Sequence, residues 1–227
     1  MNIEGVEIEI IKTNRRKTTS IFIERDGSVR VLAPASVADD KIEEAVRSKQ
    51  YLIFEKLAKW KELNKGKVER RFVNGQSFLY LGSNYPLSIV EEQDVPLKIS
   101  RGYFMLDKRY LAKAENFFKA FYKEKGAEKI LERYRLISEG FQQRPSSIRV
   151  MELRNRWASR TTKNALLFHW KCAMAPVSVI DYIITHEMVH LKFPNHSPQF
   201  WDDLDKKMPG YREQADWLKN NGVRLSI

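Results

Sequence analysis

Residues 176–201 read Pro-Val-Ser-Val-Ile-Asp-Tyr-Ile-Ile-Thr-His-Glu-Met-Val-His-Leu-Lys-Phe-Pro-Asn-His-Ser-Pro-Gln-Phe-Trp. The apolar run Val179 to Thr185 predicts a helix held in a core, with Pro176 before or at its start and an end near Leu191. On a helix, residues four apart stand one turn apart, offset by roughly 40° about the axis. His186 and His190 therefore face one side and can take two corners of a tetrahedral zinc site. Glu187 lies on the same helix, in reach of a metal-bound water without being a ligand itself. His196 follows the helix end, and Phe193-Pro194-Asn195 supplies the turn back, since Pro194 cannot continue a helix and Asn195 tolerates left-handed backbone. Three protein ligands leave a fourth position for water, the arrangement of a catalytic and not a closed structural site. The chain has only four histidines, and a chance His-Glu-x-x-His is expected in under roughly 1% of such chains.

The five-residue gap between His190 and His196 matches the metzincin spacing, but Phe193 stands where that pattern has glycine, which argues against that branch. The fourth histidine, His169, sits on a predicted strand and reads first as a packed or hydrogen-bonded side chain. Just beyond His196, Ser197-Pro198 is a helix start, with Ser as cap and Pro at the first helical position.

Upstream, the first third reads as β-rich. Ile3 to Ile10 alternate loosely with polar residues, and Asp26-Gly27 between Ile21, Ile23 and Val29, Val31 is a hairpin signal. One long helix is expected from Ser36 to about Trp60, followed by a polar linker from Lys61 to Arg71. Strands follow at Phe78 to Leu81 and Leu87 to Val90, turned around Gly82-Ser83-Asn84, with a third from Val95 to Ile99. From about Tyr110 one or two amphipathic helices follow, broken or bent at Gly126, and Pro145 ends this block. Ile148 to Leu153 and Ala165 to Trp170 read as strands, the second an edge strand beside the metal helix that could take extended substrate by strand addition. The expected division is a β-rich part over residues 1–108 and a metal-bearing part over 109–227.

The chain has 227 residues, 43% apolar and 30% charged, which excludes a disordered or collagen-like chain. No apolar run is long enough for a membrane span. Met1 to Gly5 lack an apolar signal segment, and the single Cys172 fits a reducing compartment, so a cytoplasmic protein is expected, with a monomer favoured. The net charge is +11, and residues 144–171 carry seven Arg or Lys against one acid, Glu152. That segment is either a solvated face or a surface for anions, with Trp157 and Trp170 available to stack on bases.

Taken together, the chain resembles the YgjP-like metallopeptidases, relatives of the SprT-like proteases. The likeness rests on Arg15 to Thr18, Asp26 to Val31 with Ala33-Pro34, Tyr80-Leu81-Gly82 with Tyr85, and Ala175-Pro176 with Ile180-Asp181-Tyr182 before the histidines. Asn195-His196-Ser197-Pro198 with Phe200-Trp201, and Tyr211-Arg212-Glu213, complete it. Arg156-Trp157-Ala158-Ser159-Arg160 is similar to the family's Arg-Trp-Gly-Ser-Cys, departing at Ala158 and Arg160. The resemblance implies an α+β fold with a zincin-like catalytic half and a smaller β-rich N-terminal half.

The chemistry expected is zinc-dependent hydrolysis, with Zn2+ on His186, His190 and His196 and Glu187 as general base on the zinc-bound water. Tyr211, Arg160, His169, Arg154 and Arg156 are candidates for substrate or transition-state contacts. A peptide or protein substrate, hence a metallopeptidase, comes first. A nucleotide pyrophosphohydrolase acting on phosphoanhydride bonds and a nucleic-acid-recruited protease remain open, because the same metal and base serve all three.

Overall fold

The computed structural model describes residues 1–24, 26–66, 68–153 and 156–227, so Arg25, Lys67, Arg154 and Asn155 lie outside the described residues. Packing divides the chain into two compact units, Met1–Gly66 and Lys67–Ile227. The fold is α+β, and no helix among the described residues is long and apolar enough to cross a membrane.

In the first unit, β1 (Asn2–Ile3), β2 (Val6–Thr13), β3 (Ser20–Ile23) and β4 (Val29–Pro34) form a sheet in the order β1-β2-β4-β3. The Asp26-Gly27 hairpin joins β3 to β4 antiparallel, while β2 runs parallel to β4. Period-two alternation puts Val29, Val31 and Ala33 into a core shared with Ile3 and Ile8. Ile42 and Val46 of α1 (Asp39–Arg47) and Ile53 of α2 (Gln50–Asn64) cover them. The single long helix expected from Ser36 is thus two. Ser48 turns its hydroxyl back to the Ala45 carbonyl (2.8 Å), and Lys49 leaves helical geometry between the two helices.

The second unit begins with β5 (Ser77–Tyr80), β6 (Ser83–Val90), β7 (Leu97–Ser100) and β8 (Tyr103–Asp107), in the order β5-β6-β8-β7. The unit starts within the polar stretch read as a linker, not near residue 108. The reason is burial: Phe78, Leu87, Phe104 and Leu106 of this sheet share one core with Phe118 and Tyr122 of α3 (Ala114–Ser138) and Ile184 of α4 (Val177–His190). Residues 77–107 are therefore inseparable from the metal helix. Gly126 neither breaks nor bends the reading of α3 as one helix. A Cβ there would lie 3.1 Å from the Ala173 Cβ, so the glycine lets α3 approach the 3-10 turn Trp170–Met174.

A third sheet holds β9 (Ser147–Met151), β10 (Ala158–Arg160) and β11 (Ala165–His169), in the order β10-β11-β9. The expected edge strand Ala165 to His169 is the central one, parallel to β9 and antiparallel to β10. The edges are β9 and the three-residue β10, and β10, the edge beside α4, is too short to leave a periodic signal. After α4 come α5 (Pro198–Lys207) and α6 (Tyr211–Asn221).

Two contacts seat α4. Arg133 of α3 grips Asp181 with two bonds of 2.7 Å. At the β5–β6 turn, Leu81 and Gly82 donate their N–H groups to Ala173 (2.8 Å) and Met174 (3.0 Å), just ahead of Pro176. That turn uses Leu81 (φ 49) and Gly82 (φ 82), and not Gly82-Ser83-Asn84, because Ser83 and Asn84 already belong to β6. A Cβ on Gly82 would fall 2.9 Å from Pro176 Cα.

Candidate metal centre

Helix α4 is buried along Val179, Ile180, Ile183, Ile184, Met188 and Val189, which fixes the rotation that His186 and His190 present. Past the helix, the Phe193 N–H returns to the Val189 carbonyl (2.9 Å), tightening the exit. Ser197 caps α5 by accepting from the Phe200 N–H, and Pro198 occupies the first helical position, as its spacing predicts. The intervening turn needs no left-handed Asn195: among the described non-glycine residues, positive φ occurs only at Glu4, Leu81, Arg101 and Asn164.

These two helix ends bring three imidazoles together. His196 Nε2 lies 3.0 Å from His186 Nε2 and 3.1 Å from His190 Nε2. The Nδ1 of His190 meets the Phe193 carbonyl at 2.9 Å, so Nδ1 carries the proton and the Nε2 lone pair points to the other two rings. Three neutral nitrogens packed this closely cannot satisfy one another by hydrogen bonding, whereas a shared cation satisfies all three. Burial, then His190 and His196, push the His186 pKa down to about 3, and burial lowers His190 as well. Neutral imidazole is the ligand form. The donor set therefore fits a metal ion, and imidazole donors suit Zn, Cu, Fe and Ni alike. Phe200 forms an apolar floor, its ring 4.9, 4.5 and 4.8 Å from those of His186, His190 and His196. Trp201 stacks on His196 at 5.3 Å.

Glu187 is 7% exposed, and its Oε2 has no protein partner. Burial pushes its pKa up to about 7, against a hydrogen bond from the Arg160 backbone and the charges of Arg156 and Arg160. The Arg160 N–H thus holds the carboxylate from the free edge of β10. Glu187 faces a cavity of about 220 Å3. Its walls are Arg156, Trp157 and Ala158, then Tyr182, Ile183 and His186 of α4, and Leu218 of α6.

The other sequence candidates scatter. Arg156 lines this cavity and donates to the Ser159 hydroxyl (3.1 Å). Arg160 serves through its backbone, while its guanidinium binds Asn164 at 2.8 Å. Tyr211 is buried and stacked between Tyr182 (6.2 Å) and Trp201 (5.8 Å), one ring away from the imidazoles. His169 accepts from the Lys171 N–H (3.0 Å) and donates to the Leu153 carbonyl, so both nitrogens are engaged by backbone. Arg154 lies outside the described residues.

Sequence reasoning passed over Tyr182, Ala158, Leu218 and the Arg160 N–H. Tyr182 had a signal, since it precedes His186 by four residues on the same helical side. Burial, with Tyr211 and Glu187 adding, pushes its hydroxyl up to about 12. The others are brought in by packing alone.

The family described as YgjP-like, metallopeptidase domain, matches residues 17–221. Among solved structures, the chain is similar to the crystal structure of the metallopeptidase zymogen of Pyrococcus abyssi abylysin. Identity is 23% and the TM-score 0.36, covering 44% of this chain and 98% of that one. No curated protein matches.

Proposed function

The chain belongs to the YgjP-like metallopeptidase family, and we propose that it is a zinc-dependent peptidase of the His-Glu-x-x-His type. The observation that carries this reading is the convergence of three Nε2 atoms beside a buried carboxylate with an unpartnered oxygen. His186, His190 and His196 would hold the ion. When bound, zinc supplies Lewis acidity, lowering the pKa of water and polarising a carbonyl.

The protein's own groups do the rest. The Glu187 carboxylate takes a proton from the attacking water and hands it to the departing amine. The Arg160 backbone N–H steadies the carboxylate, while its buried Oε2 has no protein partner. Of the cationic candidates, Arg156 lines the wall of the cavity beside Glu187, which supports a role for it in contacting a substrate carbonyl. Phe200 packs against all three imidazoles and Trp201 stacks on His196, which supports their orientation.

The test is a substrate panel on zinc-loaded protein: unfolded proteins, short peptides and nucleoside triphosphates, with Glu187→Gln as blank. Peptide hydrolysis should fall by roughly 10²–10⁴-fold in the variant, the range for loss of a general acid–base group, while zinc content stays at one per chain. Hydrolysis of nucleoside triphosphates without peptide cleavage would replace this reading with the phosphoanhydride one.

A further inference from the structure

The cavity beside Glu187 is too small for a whole ligand, since ligand clefts run roughly 300–1,000 Å3. It has the size of one side chain. Its lining is largely apolar: Trp157 and Ala158 from the edge of the third sheet, Tyr182 and Ile183 from α4, and Leu218 from α6. Among the described residues, Arg156 is the one guanidinium on its wall.

These walls are held from behind. The Trp157 carbonyl accepts from the His169 N–H (2.7 Å) and from the Cys172 thiol (3.3 Å). Tyr182 is backed by the parallel ring of Tyr211, 6.2 Å away. A pocket braced in this way does not have to be built by its occupant. The apolar walls select as well, because a charged side chain seated against Trp157, Ile183 and Leu218 would lose hydration.

We infer that this cavity is a recognition pocket for one apolar side chain, of leucine or phenylalanine size, on the residue flanking the cleaved bond, and that the Ala158 methyl sets its depth. This rests on the peptidase reading. Ala158 stands on the pocket wall, where its methyl group takes up space that a longer side chain would otherwise fill.

The experiment uses amino-acid hydroxamates, whose hydroxamate anchors on the metal and so fixes which side chain meets the pocket. Glycine, alanine, leucine, phenylalanine, aspartate and lysine hydroxamates are titrated calorimetrically into zinc-loaded protein. The leucine compound should bind at least about tenfold tighter than the glycine, aspartate or lysine compounds. Ala158→Leu should reverse the leucine-to-alanine affinity ratio, and Ala158→Gly should raise the phenylalanine-to-leucine ratio. If Ala158→Leu does not fold, Ala158→Gly, which only removes atoms, carries the same test. Equal affinities across the series, or ratios indifferent to residue 158, overturn the pocket. Peptide cleavage alongside such a flat series would remove the pocket and leave the peptidase. Selective hydroxamate binding without any peptide cleavage would do the opposite.

Discussion

The two sides of the reaction centre are built differently. The metal side comes from eleven consecutive residues, His186 to His196, on one helix and one turn. The opposite side is assembled from Arg156 to Arg160, Tyr182 and Leu218, three segments that meet only after the sheet and α6 have packed. A local arrangement can be read from spacing, and it fails one ligand at a time. An assembled one fails through its packing, and it can vary between relatives without touching the metal.

The largest effect should come from the local side. His190→Ala removes a ligand and the bond to the Phe193 carbonyl together. Elemental analysis should fall from one zinc per chain to near none. In wild type, stripping the metal should lower the melting temperature, because a ligand at about 100 times its Kd adds about 2.7 kcal/mol to the folded state. Full occupancy in His190→Ala, or no thermal response to chelation, would break the idea that these residues hold one ion.

Next comes a substitution that asks whether the metal side is as local as it looks. Gly82→Ala puts a side chain at φ 82 and a Cβ 2.9 Å from the Pro176 backbone, at the very start of α4. The strained conformation alone costs of order 1–3 kcal/mol, and the clash adds to it. Denaturant melts should show that loss, and zinc affinity should weaken as α4 shifts. Wild-type zinc affinity in a destabilised Gly82→Ala would show that the site is independent of the hairpin some hundred residues earlier.

That dependence marks the limit of what the sequence revealed. The clustering of His186, His190 and His196, the Ser197 cap and the Asp26-Gly27 hairpin were legible because each rests on a short-range rule of spacing or turn chemistry. In the second sheet the β5–β6 pair was legible but its turn was placed late, and the β7–β8 hairpin was not read. Their turns are Leu81-Gly82 and Arg101-Gly102, all with positive φ, where Asn or Asp would have announced them. The β7–β8 hairpin was missed for this reason. Leu81 tolerates its strain because its backbone, with that of Gly82, is bonded to Ala173 and Met174, a tertiary fact with no local trace. The boundary near 108 failed similarly. The change from alternating to helical pattern is real, but Phe78 and Phe104 bury themselves against Phe118 across it.

A smaller effect tests the frame behind the assembled side. Burial and Lys171 hold His169 down to about 4, from about 6.5 when unfolded, with Lys123 acting in the same sense and Glu152 against. Between those values the unfolded chain binds the extra proton, so stability falls as pH drops from 6.5 toward 4. The slope contributed is at most about 1.4 kcal/mol per pH unit. His169→Gln should be less stable than wild type at pH 7, and the gap should narrow on acidification. A gap independent of pH would mean that His169 titrates alike in the folded and unfolded chain, contrary to its burial.

The smallest expected change returns to the local side. Ser197 accepts from the Phe200 N–H at 3.4 Å, a long bond, so Ser197→Ala should cost only about 0.5–1 kcal/mol, the low end for a helix cap. Yet the residue adjoins His196, and Phe200 lies beneath all three imidazoles. If the ligand turn is positioned by α5, loosening this cap should speed zinc release more than it lowers stability. The dissociation rate, followed with a chromogenic chelator, would then rise by more than the few-fold that ~1 kcal/mol represents. A rise no larger than that would place His196 under the control of the α4 exit, where Phe193 bonds back to Val189 and holds His190 through its carbonyl. The metal side would in that case be narrower still, fixed by one helix and its last turn.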